Sequence, residues 1–245
     1  MTTVNTTAKP FDGKTVVVTG GAGGIGHAVS EAFTDAGAHV VTVDLTGADH
    51  DLDVTDAAAL TRAMADVNAR HGGPHVLVAL AGGSLGIPRD LDAFTDEQFN
   101  KVLDVNVTGT LNACRAALPY LKQAKGSIVT CTSIGARQPS PVTGVAYAAA
   151  KAAIGGLTRR LAAEVGPDGV RVNALAPGLV LTPRLSGMFD GLSQSDRDSV
   201  TEAIALRRMP ELREIVDPIL FLAGEGAGYI TGVTLDVNGG RYMPP

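Results

Sequence analysis

Tyr147 and Lys151 lie four residues apart in the run Tyr147-Ala-Ala-Ala-Lys151. On a helix that spacing puts a phenol and an ammonium on one face. A free phenol titrates near ~10, so proton transfer at neutral pH needs its anion favoured, and a neighbouring positive charge would do that. The same spacing also suits an ordinary solvated helix face. Ser133 changes the balance: it ends an apolar run 14 residues before Tyr147, where its hydroxyl could hold a substrate oxygen. A second kind of chemistry is suggested by Thr19-Gly-Gly-Ala-Gly-Gly-Ile-Gly26. Glycines let a backbone turn tightly and approach a pyrophosphate, which then rests on the N-terminus of the following helix. No Gly-Lys-Ser/Thr closes this loop, as a mononucleotide phosphate loop would require. Asp44 follows 18 residues after Gly26, and no Arg or Lys occurs between Gly20 and Arg62. A carboxylate there can accept from an adenosine ribose and would repel a 2′-phosphate, which favours NAD over NADP; otherwise it is a strand-end turn residue.

These residues need a frame that brings them together, and the chain alternates as such a frame would. Thr15–Thr19, His39–Asp44, His75–Leu80, Ser127–Thr132 and Val170–Leu175 read as strands without polar alternation. Helical stretches separate them: Gly24–Ala36, Asp56–Arg70 with Thr55 as N-cap, a long region from the capping box Thr95-Asp-Glu-Gln98 through Lys122, and Val145–Val165. That pattern implies a doubly wound α/β fold, a parallel sheet covered by helices on both faces, with ligands at the carboxyl ends of its strands. No repeat or linker divides the 245 residues, which are expected to form a single domain (1–245), with 1–10 as a flexible start. Residues 181–208 break the rhythm and read as a mobile substrate flap outside the sheet.

Composition narrows the classes. A net charge of -5 argues against a nucleic-acid partner. No run reaches the ~18 apolar residues of a membrane span, and the Thr-rich start lacks the apolar core of a signal peptide, so a cytoplasmic protein is expected. Only 18% of residues are charged, as suits a surface partly covered by other subunits. Cys114 and Cys131 read as buried thiols, the five histidines do not cluster, and no metal site is expected.

The motifs together resemble the short-chain dehydrogenase/reductase family over essentially the whole chain. The matches are the loop 19–26 with Gly20, Gly24 and Ile25; Asp53-Val54; Ala81-Gly82; Asn106; Ser133; Tyr147 and Lys151; Pro177-Gly178 with Thr182; Tyr229-Ile-Thr-Gly232; and Asp236 to Gly240. The resemblance implies a Rossmann sheet of about seven strands and an enzyme moving a hydride between NAD and a secondary alcohol or ketone. It implies that Tyr147 gives or takes the hydroxyl proton and Ser133 polarises the carbonyl. Lys151 would bind the nicotinamide ribose and favour the phenolate, and Asn106 would hold a water linking Lys151 to solvent. Asp53 and Val54 would contact adenine; Val180 and Thr182 would hold the carboxamide. A homotetramer, with the last strand and the tail at a two-fold interface, is also implied.

There are two departures from the family pattern. Ala79-Leu80 stands where many relatives carry Asn-Asn, which leaves the cofactor contacts there to backbone. Gly23 stands where NADP-using relatives often carry a basic residue, which agrees with NAD. The expected pocket residues, Ser84, Leu85, Ile134, Gln138, Pro139, Val142, Leu179, Met188 and Phe189, are mostly apolar and suit a medium-sized hydrophobic or alicyclic substrate. Arg137 and Arg184 read as solvated cations that could otherwise meet an anionic group. A 3-oxoacyl-thioester reductase is the alternative enzyme, and a non-catalytic NAD-sensing or scaffold protein the alternative outside enzymes.

Overall fold

Valine-dense segments leave no face for water, and they form the middle of the structure. The computed structural model describes residues 9–140 and 142–244, without the side chains of Pro183, Arg184, Leu185 and Met188. Arg184 and Met188, and the chain start through Ala8, thus lie outside the described residues. Strands β1 (Thr15–Thr19), β2 (His39–Asp44), β3 (His50–Asp51), β4 (Val76–Ala79), β5 (Ser127–Cys131), β6 (Arg171–Pro177) and β7 (Thr234–Val237) make one seven-stranded sheet. Its order is β3-β2-β1-β4-β5-β6-β7, with every neighbouring pair parallel. This is the doubly wound Rossmann arrangement expected from the sequence. The order reverses direction between β1 and β4, and the crevice beyond their carboxyl ends is where such sheets take ligands.

Successive strand residues face opposite sides, so each strand feeds two cores. Val17, Val41, Leu77, Ile128 and Val172 face one core, with Leu60 and Met64 of α2 (Ala57–His71) and Ala117 and Leu121 of α4 (Gly109–Ala124). Val16, Val18, Val78, Val129 and Leu175 face the other, with Val29 and Phe33 of α1 (Gly24–Asp35) and Ile215, Ile219 and Leu222 of α8 (Arg213–Ala223). A parallel sheet buried on both faces needs both layers.

The structure corrects several local expectations. Helix α2 is capped by Asp56, whose carboxylate accepts from Ala59 N at 2.9 Å. Thr55 stands one residue outside the cap, with its amide and hydroxyl both donating to Asp53 Oδ1 at 2.8 Å. The Thr95–Gln98 capping box is present and opens α3 (Asp96–Leu103). The helix does not run evenly on to Lys122, since a π-turn at Asp104–Thr108 separates α3 from α4. β3 is two residues long, too short to leave a sequence pattern. The 181–208 region does lie outside the sheet, but as two helices, α6 (Pro183–Asp190) and α7 (Gln194–Glu202), with Val200 and Ile204 buried. Among the described residues no helix is long and apolar enough to cross a membrane.

Candidate active site

The switch point between β1 and β4 is built by close backbone approach. Gly20 leaves β1 with φ +73°, and a Cβ there would sit 2.8 Å from Ala81 N in the loop after β4. A Cβ on Gly26 would collide with the carbonyl of Gly20, so the loop can fold over the start of α1 only without side chains. No side chain caps the N-terminus of α1 at Gly23, which leaves the amides of its first turn, from Gly24 and Ile25 onward, open to an anion. Asp44 closes the side of the loop: Oδ2 accepts from Ala22 N at 3.1 Å and Oδ1 from Leu45 N at 2.8 Å.

Asp53 and Val54 bound the same crevice. The backbone and hydroxyl hydrogen bonds from Thr55 hold the Asp53 carboxyl below its ordinary range. Val54 is buried against Gly109, where a Cβ would come 2.5 Å from Val54 Cγ2. Asn112 in α4 pins this loop from below, donating to the carbonyls of Val54 and Thr55 at 3.2 Å. Sequence reasoning missed Asn112; an amide on the inward face of an otherwise apolar helix was the available signal.

Ala81 donates its amide to Thr19 Oγ1 at 3.3 Å. Gly82, at φ +144°, leaves room for Asn106, which a Cβ would strike. The Asn106 side chain is fully buried and fully used: Oδ1 accepts from Gly83 N at 3.0 Å, and Nδ2 donates to Gly83 O at 2.9 Å and Val102 O at 2.8 Å. Its main-chain carbonyl accepts from Thr110 Oγ1 at 2.6 Å. The π-turn therefore fastens the loop after β4 to the helix beneath the candidate catalytic residues.

Those residues sit at the carboxyl edge of β5 and on α5 (Val145–Val165). Ser133 is buried, and its Oγ accepts from Gly135 N at 3.1 Å. That contact leaves the hydroxyl hydrogen for an outside acceptor. Gly144 precedes α5 and lies against Arg89, where a Cβ would come 2.9 Å from Arg89 Cα. Tyr147 follows in the first turn, half-buried. Lys151 is 4% exposed, with Nζ 2.9 Å from the carbonyl of Cys131 and 5.7 Å from the Tyr147 ring centroid. No carboxylate among the described residues pairs with it. A solvated helix face is therefore the wrong description of Lys151.

A cavity of about 200 Å³ opens beside Tyr147, between Ser84–Arg89 on one wall and Val142–Ala146 on the other. A larger hollow of about 340 Å³ lies at the amino ends of β4, β5 and β6, on the opposite edge from Tyr147. Pro177 ends β6, and Gly178 N donates to Val237 O at 2.9 Å. Val180 is buried in the core, and Thr182 leads into α6 with its side chain making no cap bond. Arg137 is not a solvated flap cation. Its Nε lies 3.1 Å from Asp236 Oδ1, and its guanidinium stands 5.7 Å over the Tyr242 ring. Among the described residues no group of three or more His, Cys, Asp and Glu could hold a metal ion.

A parallel sheet with a glycine cradle at its switch point, and a Ser-Tyr-Lys constellation at the next strand end, defines a Rossmann-type oxidoreductase. The chain belongs to the short-chain dehydrogenase/reductase family: a family model described as enoyl-(acyl carrier protein) reductase matches residues 20–241. The chain is 36% identical to the glucose 1-dehydrogenase of Gluconobacter oxydans, covering 95% of this chain and 93% of that protein. It is 34% identical to the 3-oxoacyl-[acyl-carrier-protein] reductase of Escherichia coli, covering 95% and 99%. It superposes on a short chain dehydrogenase from Leptospira borgpetersenii with bound NAD+ at a TM-score of 0.86, with 26% identity and coverage of 99% and 98%.

Proposed function

We propose that this protein is an NAD-dependent dehydrogenase acting on a secondary alcohol or its ketone, medium-sized and apolar near the reacting carbon. The observation that carries this reading is the buried Lys151 ammonium, held by the Cys131 carbonyl beside the Tyr147 ring with no carboxylate to neutralise it. A buried unpaired cation is costly, and its charge is directed at the phenol and the crevice. The uncapped start of α1 and the glycine cradle fit a pyrophosphate. Asp44, with no cation near it in sequence, fits a free 2′-hydroxyl. Gly20, Gly24, Ile25, Asp44, Asp53, Val54, Ala81 and Gly82 would hold the adenosine and pyrophosphate half. Pro177, Gly178, Val180 and Thr182 would hold the nicotinamide half with Tyr147 and Lys151.

A nicotinamide dinucleotide, when bound, gives or takes the hydride. The protein handles the proton. Ser133 donates its free hydroxyl hydrogen to the carbonyl oxygen, which fixes that oxygen beside Tyr147. Tyr147 Oη delivers a proton as the ketone is reduced and takes one as the alcohol is oxidised. The Lys151 ammonium offsets the negative charge left on Oη, and Asn106 fastens the adjoining loop. The walls at Ser84–Arg89 and Val142–Ala146 shield the carbon from water.

A second reading, reduction of a 3-oxoacyl thioester, is supported by the Escherichia coli relative and shares the same acid–base. The apolar exposed residues Phe221, Tyr229, Val233 and Met243 support a homotetramer. Tyr147→Phe tests the chemistry, since it keeps the ring and removes one oxygen. Turnover of a panel of alcohols and ketones, followed by nicotinamide absorbance, should fall by about 10²–10⁴-fold while NADH fluorescence still reports binding. Retention of more than about a tenth of the activity would require a different acid–base.

A further inference from the structure

Ser133 sits on a turn whose backbone N–H groups all close on the turn itself. It caps the 3-10 turn Ile134–Ala136, with Oγ accepting from Gly135 N at 3.1 Å. Ala136 N donates to Ser133 O at 3.0 Å, and Arg137 N and Gln138 N both donate to Ile134 O at 2.9 Å. Ile134 is buried beneath the turn, and Thr143 packs on Gly135, where a Cβ would come 2.6 Å from Thr143 Cγ2. Apolar contacts of this kind have no preferred direction. They hold the turn down without fixing how it points.

The directional anchor is the side chain of Arg137, which ends the turn and reaches another strand. Its Nε lies 3.1 Å from Asp236 Oδ1, and its guanidinium stands over the Tyr242 ring. Asp236 is in register with Ala176 of β6, and β6 lies between β5 and β7, so this contact spans the carboxyl end of β6. Both side chains are mostly buried, 28% exposed for Arg137 and 14% for Asp236. Asp236 Oδ1 receives no aligned hydrogen bond, so the guanidinium is what offsets its charge. Burial pushes the Asp236 carboxyl up from its ordinary value, and Arg137 opposes that rise. A second tie runs alongside, from Arg241 Nη2 to Ser140 Oγ at 3.2 Å. A buried ion pair is a weak source of net stability, but moving either partner leaves a bare buried charge, so the pair fixes position. A planar guanidinium held between a carboxylate and a ring is fixed in direction as well.

We propose that Arg137 is a positioning residue: clamped by Asp236 and Tyr242, it locks the 3-10 turn so that the Ser133 hydroxyl points at the substrate oxygen beside Tyr147. Arg137 acts through Ser133 and not by touching the substrate. Its part in the reaction rests on the oxidoreductase reading above; the clamp itself does not.

Hydrogen exchange on the whole protein, read by mass spectrometry, tests the clamp alone. Asp236→Asn keeps the shape and removes the charge. It should speed exchange of the amides in the 134–138 segment at least tenfold and leave β5 and β6 unchanged. Arg137→Gln should do the same, and Arg137→Lys, which keeps the charge, should restore part of the protection. Kinetics then test the positioning. With NADH and a ketone that the unmodified protein reduces, Arg137→Gln should lower kcat at least tenfold, while NADH affinity by fluorescence stays within about twofold. In a Ser133→Ala background the same change should cost less than about twofold, because no hydroxyl is left to misplace. Asp236→Asn serves in the same comparison should Arg137→Gln fail to fold. Losses that multiply in the double variant overturn the positioning role, since Arg137 would then act by a route other than Ser133. Unchanged exchange in Asp236→Asn overturns the clamp, and faster exchange with unchanged kcat overturns its part in the reaction. Faster exchange in a protein that reduces no carbonyl overturns the oxidoreductase reading and leaves the clamp standing.

Discussion

The carboxylate of Asp44 does two things at once. Its oxygens accept from Ala22 N and Leu45 N, so it fastens the glycine loop to the end of β2. The same group places negative charge where a ribose 2′ substituent would arrive, and no Arg or Lys occurs from Gly20 to Arg62 to offset it. A preference for NAD over NADP of at least about 1.4 kcal/mol, or tenfold, is expected. Asp44→Ala should shrink that ratio, measured as kcat/KM with each cofactor, and should also weaken NAD because the loop loses a tether. Equal efficiency with both cofactors in the unmodified enzyme would remove Asp44 from this role. Ser133 shows the same economy: one lone pair orders the turn after β5, and the hydrogen remains for chemistry.

Helices α6 and α7 lie over the carboxyl edge of the sheet and are tied down at their far end by a two-bond fork. Arg208 donates to both oxygens of Glu214 in α8, at 2.6 Å each. These bonds, with a further one from the Glu211 amide, bring the Glu214 carboxyl down from 4.5 to about 2. A carboxyl depressed on folding contributes above its unfolded value and is lost as pH falls through the folded one. The fork should therefore be intact at pH 5 and open only as the pH drops from about 4.5 toward about 2. The carboxyl carbon NMR shift of Glu214 should titrate near the lower value, and Arg208→Gln should move the midpoint up toward the ordinary one. A midpoint near 4.5 in the unmodified protein would show that the fork does not hold in solution. Because the pair is exposed, salt should weaken it.

At the scale of the whole molecule, the sheet leaves β7 as an edge, and edges left open invite pairing. In the last quarter of the chain several large apolar side chains face outward: Tyr229 is 105% exposed and Met243 69%, with Phe221 and Val233 also exposed. Exposed apolar groups of this size support the proposed subunit contact. Light scattering should give the mass of a tetramer, and Phe221→Glu, which places charge in the contact, should give a smaller particle. A monomeric unmodified protein would leave these residues without an explanation.

Much of this architecture was legible in the sequence because it is local. A strand of consecutive valines and a glycine loop opening a helix carry their structural meaning within a few residues. The i,i+4 spacing of Tyr147 and Lys151 does so too, once the helix is granted. What stayed hidden depends on partners far away in sequence. β3 exists because β2 offers it an edge. The cap of α2 falls to Asp56 while Thr55 is turned to Asp53, which accepts from both its amide and its hydroxyl. The long helix breaks at Asn106 because that side chain is spent on Gly83, 23 residues away. Arg137 is drawn from solvent by Asp236 and Tyr242, and Arg241 crosses 101 residues to Ser140. Chain periodicity encodes which face of an element is buried. Only closure of the sheet decides which buried or half-buried charges find partners and which are left facing the cleft.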